Sequence, residues 1–235
     1  NMAKLIIAIV LTLTSTFANA QLKGSGKIST KNYDYKNFDK VYFEDLDGKI
    51  EVEIGKPWSV LITIDDNLES LLSFSENVSE NELKIQFKEN KNNKMYVEDS
   101  NIIIKITMPE ASVIKNSGNS DLRVQNISGR YFILENTGNG DSNVSGTVDV
   151  LDIIKIGNGD IDASNLNARK AELKSTGNGN LTVNVSEMLS ARLIGNGDVI
   201  NTGKAKFDSG SKKSGNGDLI LKNTKFKNQT HSQNK

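Results

Sequence analysis

A four-residue cluster of turn formers, Gly-Asn-Gly-Asp, returns six times in the C-terminal half of the chain. The copies are Gly118-Asn119-Ser120-Asp121, Gly138-Asn139-Gly140-Asp141, Gly157-Asn158-Gly159-Asp160, Gly177-Asn178-Gly179-Asn180, Gly195-Asn196-Gly197-Asp198 and Gly215-Asn216-Gly217-Asp218. Their first glycines are spaced by 20, 19, 20, 18 and 20 residues. Constancy of this kind leaves few folds open. A unit of about 20 residues has four to six inward side chains, each giving roughly 1.5–3 kcal/mol on burial. Ordering its backbone costs on the order of 1–2 kcal/mol per residue, so such a unit must stack on its neighbours.

Between the motifs apolar residues alternate with period two, as in strands with one buried face. Leu122 and Val124 follow the first motif, and Ile161 and Ala163, Leu181 and Val183, and Leu219 and Leu221 are the counterparts in later units. A second set of pairs reads Phe132 and Leu134, Ala171 and Leu173, Ala191 and Leu193, Ala205 and Phe207. Each unit is therefore strand, short turn, strand, Gly-rich turn. Leucine-rich repeats need leucines at offsets this chain lacks, and calcium-binding nonapeptide repeats have half the period. The expected fold is all-β: a right-handed parallel β-helix, a β-solenoid, with a flattened β-roll as the second choice.

The motif residues have separable turn roles. The first glycine, at 118, 138, 157, 177, 195 and 215, is invariant among the copies, which calls for positive φ or no Cβ. Ser120 at the third position of one copy implies a softer demand there. Stacked rungs place Asn119, Asn139, Asn158, Asn178, Asn196 and Asn216 in an amide ladder. The last position forms a column of Asp121, Asp141, Asp160, Asp198 and Asp218, with Asn180 in the fourth copy. Carboxylates about 4.8 Å apart repel by about 1 kcal/mol even in water. Calcium would relieve this but wants 6–8 oxygens, so the expectation is that each Asp accepts backbone N–H bonds within its own turn. No metal and no cofactor is expected.

The N-terminal half is less regular. Residues 1–20 have the parts of a secretory signal peptide: Lys4, the apolar run Leu5–Phe17, and an Ala18-Asn19-Ala20 cleavage site that would leave Gln21 first. Residues 21–112 read as a β region that caps or begins the solenoid, 113–222 as the six-rung solenoid and 223–235 as a polar, disordered tail. Strands are expected at Val41–Phe43, Lys49–Ile54, Ser59–Ile64, Glu82–Phe87 and Ile102–Met108, with a helical turn within Asn67–Ser73 and a charged loop at Glu89–Ser100.

Phe38–Ile54, the strand Ile102–Pro109 and the Gly-x-Gly-Asp array together resemble the head-GIN-domain family of auto-transporter adhesins. The resemblance covers about Tyr35–Lys222 and implies a β-helical protein of the cell envelope or the cell exterior, in the periplasm, at the outer-membrane surface or outside the cell.

Composition narrows the function classes. Lysine and arginine total 29 against 29 acids; loss of Lys4 with the signal leaves 28 against 29, a charge of −1. A near-neutral chain has no field for general nucleic-acid binding. No second apolar run reaches the length of a transmembrane helix. The absence of cysteine excludes disulfides and thiolate metal sites. The acids are spread one per rung as turn residues, and the single histidine is His231, so no catalytic constellation is expected and the chain is read as non-enzymatic. One strand face carries Gln125, Asn143, Ser145, Ser164, Thr182, Asn184 and Thr202; the other carries Arg130, Arg169, Lys174, Arg192, Lys204 and Lys206, interrupted by Glu135, Glu172 and Asp208. Such faces suit polysaccharide or a partner surface protein. The alternatives are a structural envelope component without ligand, or a carbohydrate-active β-helix enzyme. The sequence assigns no oligomeric state.

Overall fold

The computed structural model describes residues 22–88, 97–98 and 100–222. The expected signal peptide with Ala20 and Gln21, most of the Glu89–Ser100 loop, His231 and the tail lie outside the described residues. The fold is an all-β parallel solenoid with a curled sheet region at its N-terminal end.

Each repeat crosses two sheets. Strands that run into a motif turn form one sheet: Val113–Gly118, Tyr131–Gly138, and the later parts of the long strands Ser142–Gly157, Ile161–Gly177 and Leu181–Gly195, ending at Lys212–Ser214. Strands that leave the turn form the other: Asp121–Ile127, the early parts of the same long strands, Val199–Asn201 and Leu219–Leu221. All of these pairings are parallel. Leu122, Val124, Ile161, Ala163, Leu181, Val183, Phe132, Leu134, Ala171 and Leu173 are buried in one continuous core, as their alternation requires.

The register differs from the expected pairs in one place. Ala191 sits beside Leu173 and Leu193 beside Ser175, so the partner of Ala171 is Leu189. Phe207 bridges to Leu189, which leaves Ala205 outside the column. The cause is the 18-residue unit: the corner opposite the motif is shortened there, with Ala163 aligned to Val183 but Asn167 to Asn184. Equal offsets from the glycine therefore stop being equal positions.

The expected strands of the N-terminal half are present and join the stack out of sequence order. Lys40–Leu46 and Gly48–Ile54 form a rung directly against Val113–Gly118 and Asp121–Ile127. Between them the chain leaves for residues 55–112. During this excursion Glu82–Phe87 and Ile102–Met108 pair in parallel with the opposite edge of that rung. Antiparallel strands then close this end: Ser59–Asp65 on Ile102–Met108, Ile28–Tyr33 on Ser59–Asp65, and Leu72–Asn77 on Glu82–Phe87. A 3-10 turn, Glu69–Leu71, occupies the expected helical stretch. Val97–Glu98 pairs with Leu22–Lys23. Trp58 packs against the core and its indole N–H donates to the Phe38 carbonyl at 2.9 Å.

Candidate functional site

The motif turns lie one above another and are tied together at every position. All six first glycines have positive φ, from +106° at Gly215 to +137° at Gly118, a region that L side chains rarely adopt. The carbonyls of Gly118, Gly138, Gly157 and Gly177 accept from the asparagine N–H of the next turn, as in Asn139 N to Gly118 O at 3.1 Å, and that of Gly195 accepts from Gly217 N at 2.9 Å. Each asparagine donates its side-chain N–H to the amide oxygen one rung back: Asn139 to Asn119, Asn158 to Asn139, Asn178 to Asn158, Asn196 to Asn178 and Asn216 to Asn196, over 2.7–3.0 Å. The amide ladder expected from the repeat is complete.

The Asp column works differently from the expectation of bonds within one turn. Asp121 Oδ1 accepts the backbone N–H of Asp141, Asp141 that of Asp160, and Asp160 that of Asn180. Asn180 and Asp198 continue it to Asp218. The oxygen thus reaches along the stack to the N–H of the next rung and not to one in its own turn. An amide oxygen accepts equally well, and for this reason Asn180 keeps the column unbroken.

The third motif position is not soft. A Cβ on Gly140 would overlap the Ser120 carbonyl, and one on Gly159 the Gly140 carbonyl. Ser120 is tolerated by its place in the stack. The turn beneath it follows a bulge at Asp45 and stands further off: a Cβ on Gly118 would lie 3.0 Å from the nearest atom there, against outright overlap higher up.

Inside the corner is a polar column at positions that the alternation rule assigns to the core. Asn116, Asn136, Lys155 and Ser175 share one inward row and are all buried. Asn116 Nδ2 donates to Ser120 O at 2.8 Å and Asn136 Nδ2 to Gly140 O at 2.9 Å, which holds the inward carbonyl of each turn. Lys155, 1% exposed, donates to Gly157 O at 3.1 Å. Burial pushes its ammonium below the usual lysine value, and the charges of Asp160 and Asp141 partly oppose this. The signal was available: a polar residue stands two before the first glycine in five of six units.

Outside, the post-turn sheet carries an open groove of about 500 Å³ over its early rungs. Two outward rows line it. One runs Lys49, Asp121, Asp141, Asp160; the other runs Glu51, Arg123, Asn143, Asp162. Thr182 extends the second row. Of the polar residues expected on this face, Asn143 and Thr182 thus fall into one line with Arg123 and Asp162. The basic stripe expected on the other sheet is broken. Lys174 and Arg192 are neighbours, but Ile154 and Glu135 occupy the same row. Arg169 stands at the opposite corner, bonded to Asp149 and Glu187.

The family model for the putative auto-transporter adhesin, head GIN domain, matches residues 37–205. The chain belongs to this family. Among solved structures, a putative adhesin from Bacteroides fragilis is 24% identical with a TM-score of 0.66, over 85% of this chain and 99% of that one. A structure described as a putative lipid binding protein from Parabacteroides distasonis is 19% identical with a TM-score of 0.54, over 86% and 100%. At these identities the likeness is one of fold. No curated protein is significantly similar to the chain. No helix among the described residues is long and apolar enough to cross a membrane.

Proposed function

We propose that the protein is a non-catalytic, exported binding protein whose post-turn face engages polysaccharide or a neighbouring surface protein. The observation that carries this reading is the pair of outward rows over the groove, Lys49 to Asp160 and Glu51 to Asp162. Their side chains project from a sheet whose rungs are locked by two side-chain ladders, so donors and acceptors recur at about 4.8 Å without further ordering on binding. One oxygen of each of Asp121, Asp141, Asp160 and Asp198 accepts from the next rung, which holds these carboxylates in place as part of the binding face. Membership of an adhesin family supports the same class.

The test is a glycan array read with the full chain, paired with crosslinking in intact cells. The double variant Arg123→Ala, Asn143→Ala should lose at least tenfold in retention while its melting temperature stays unchanged. Retention by neither glycan nor cell-surface protein would favour a ligand-free envelope component. Export is tested by N-terminal sequencing of protein recovered outside the cytoplasm, which should start at Gln21.

A further inference from the structure

The two ends of the stack are finished differently. Antiparallel strands close the N-terminal end, whereas Lys212–Ser214 and Leu219–Leu221 pair on one side only among the described residues. In the latter strand Asp218 O accepts from Val199 N, and Lys222 N donates to Asn201 O, both at 2.9 Å. Parallel pairing alternates along a strand, so the N–H and C=O groups of Leu219 and Leu221 point to the open side. The core is uncovered at the same place. Leu221 is 39% exposed, and Leu219 and Phe207 are only partly buried, although the equivalent residues one rung back are closed off. The amide ladder also stops here: Asn216 donates to Asn196, and its own oxygen receives no bond among the described residues.

We propose that this end is a docking edge for an extended, acidic segment of a partner polypeptide, added as one more strand beside Leu219–Leu221. The polarity follows from charge. From Gly118 to Ala168 there are three basic and seven acidic residues, but from Arg169 to Lys222 nine basic and five acidic. Exposed Lys204, Lys206, Lys212 and Lys222 cluster in the last turns. Lys213 alone of the local lysines bonds Asp218 and the Gly217 carbonyl. The same lysines bar a second copy, because edge-to-edge pairing of this end would bring like charges together. An acidic strand does not meet that obstacle: its backbone completes the ladder, its inward apolar residues cover Leu219 and Leu221, and its carboxylates meet the lysines. This surface is separate from the groove, so either can fail alone.

The experiment uses the full chain and two labelled peptides, acetyl-(Glu-Val)4-amide and acetyl-(Lys-Val)4-amide, read by fluorescence anisotropy. The acidic peptide should bind at least tenfold more tightly than the basic one at low salt, with the preference shrinking as salt rises. Leu221→Pro removes an outward donor without touching a bond inside the stack and should weaken binding at least tenfold with an unchanged circular dichroism spectrum. The double variant Lys212→Glu, Lys222→Glu should reverse the peptide preference. Equal binding of both peptides, no binding of either, or binding that appears only after removal of residues 223–235 would each overturn the proposal. So would a concentration-dependent dimer that excludes the peptide.

Discussion

At the scale of single residues, the motif converts a potential repulsion into a bond. Asp121, Asp141, Asp160, Asn180 and Asp198 each accept an N–H from the next rung, so the column ties neighbouring turns together. The asparagine ladder adds a parallel line of bonds whose interior members each donate and accept once. A typical intramolecular hydrogen bond contributes about 0.5–1.5 kcal/mol net. Asn158→Ala breaks two such bonds and Asn216→Ala one, so urea melts should place the first at about twice the loss of the second, near 1–3 kcal/mol. Lys155 is the opposite case, a charge placed where Asn116 and Asn136 serve without one. Its folded pKa is lowered, so the charged form penalises the fold below that pKa, and the penalty fades as pH rises through it toward the ordinary lysine value. Lys155→Met should stabilise the protein by about 1 kcal/mol at neutral pH. The advantage over wild type should narrow under alkaline conditions; a gap constant with pH would assign the effect to packing. The glycine and asparagine roles were legible because the repeat isolates them. Lys155 is legible only as a recurrent polar position two before the glycine; its bond to the turn carbonyl is not, because a polar residue at an inward phase otherwise reads as a break in the pattern.

At the scale of elements, strands with strict alternation could be read and strands without it could not. Leu181 and Val183 face the core and Thr182 faces out, as the alternation dictates. Leu181→Asp should therefore cost several kcal/mol by placing an unpaired charge among Ile161 and Val199. Thr182→Asp, one residue along, should cost under about 1 kcal/mol. Matched melts of the two variants check the phase directly. Ile28–Tyr33 and Leu72–Asn77 escaped the reading because each is an edge strand with a mostly exposed, polar sequence, the composition that discourages edge pairing. The shift of Ala191 by one inward position arose from the opposite corner. Counting from the glycine measures position only while both corners keep their length.

At the scale of the whole molecule, the stack is a one-dimensional array with unequal ends. Its N-terminal rung contacts strands on both sides, because residues 55–112 are threaded beneath Lys40–Ile54 before the chain returns to build upward. Period alone could not reveal that excursion, which inserts strands at the bottom of the stack after a higher rung has begun. In such an array each interior rung gains two neighbour interfaces, and the terminal rung at Lys212–Leu221 gains one. Opening should therefore begin there and travel toward the middle. Native-state hydrogen exchange measures this rung by rung. The bonded amide of Lys222, held by Asn201 O, should exchange fastest, that of Val199, held by Asp218 O, next, and that of Leu181, held by Asp198 O, close to the limit set by global unfolding. The Asn196 side-chain amide should likewise outlast that of Asn216, since only the former lies between two ladder partners. If Lys222 and Leu181 instead exchange with the same free energy, the array unfolds as a single unit, and the open end is as firmly held as the interior.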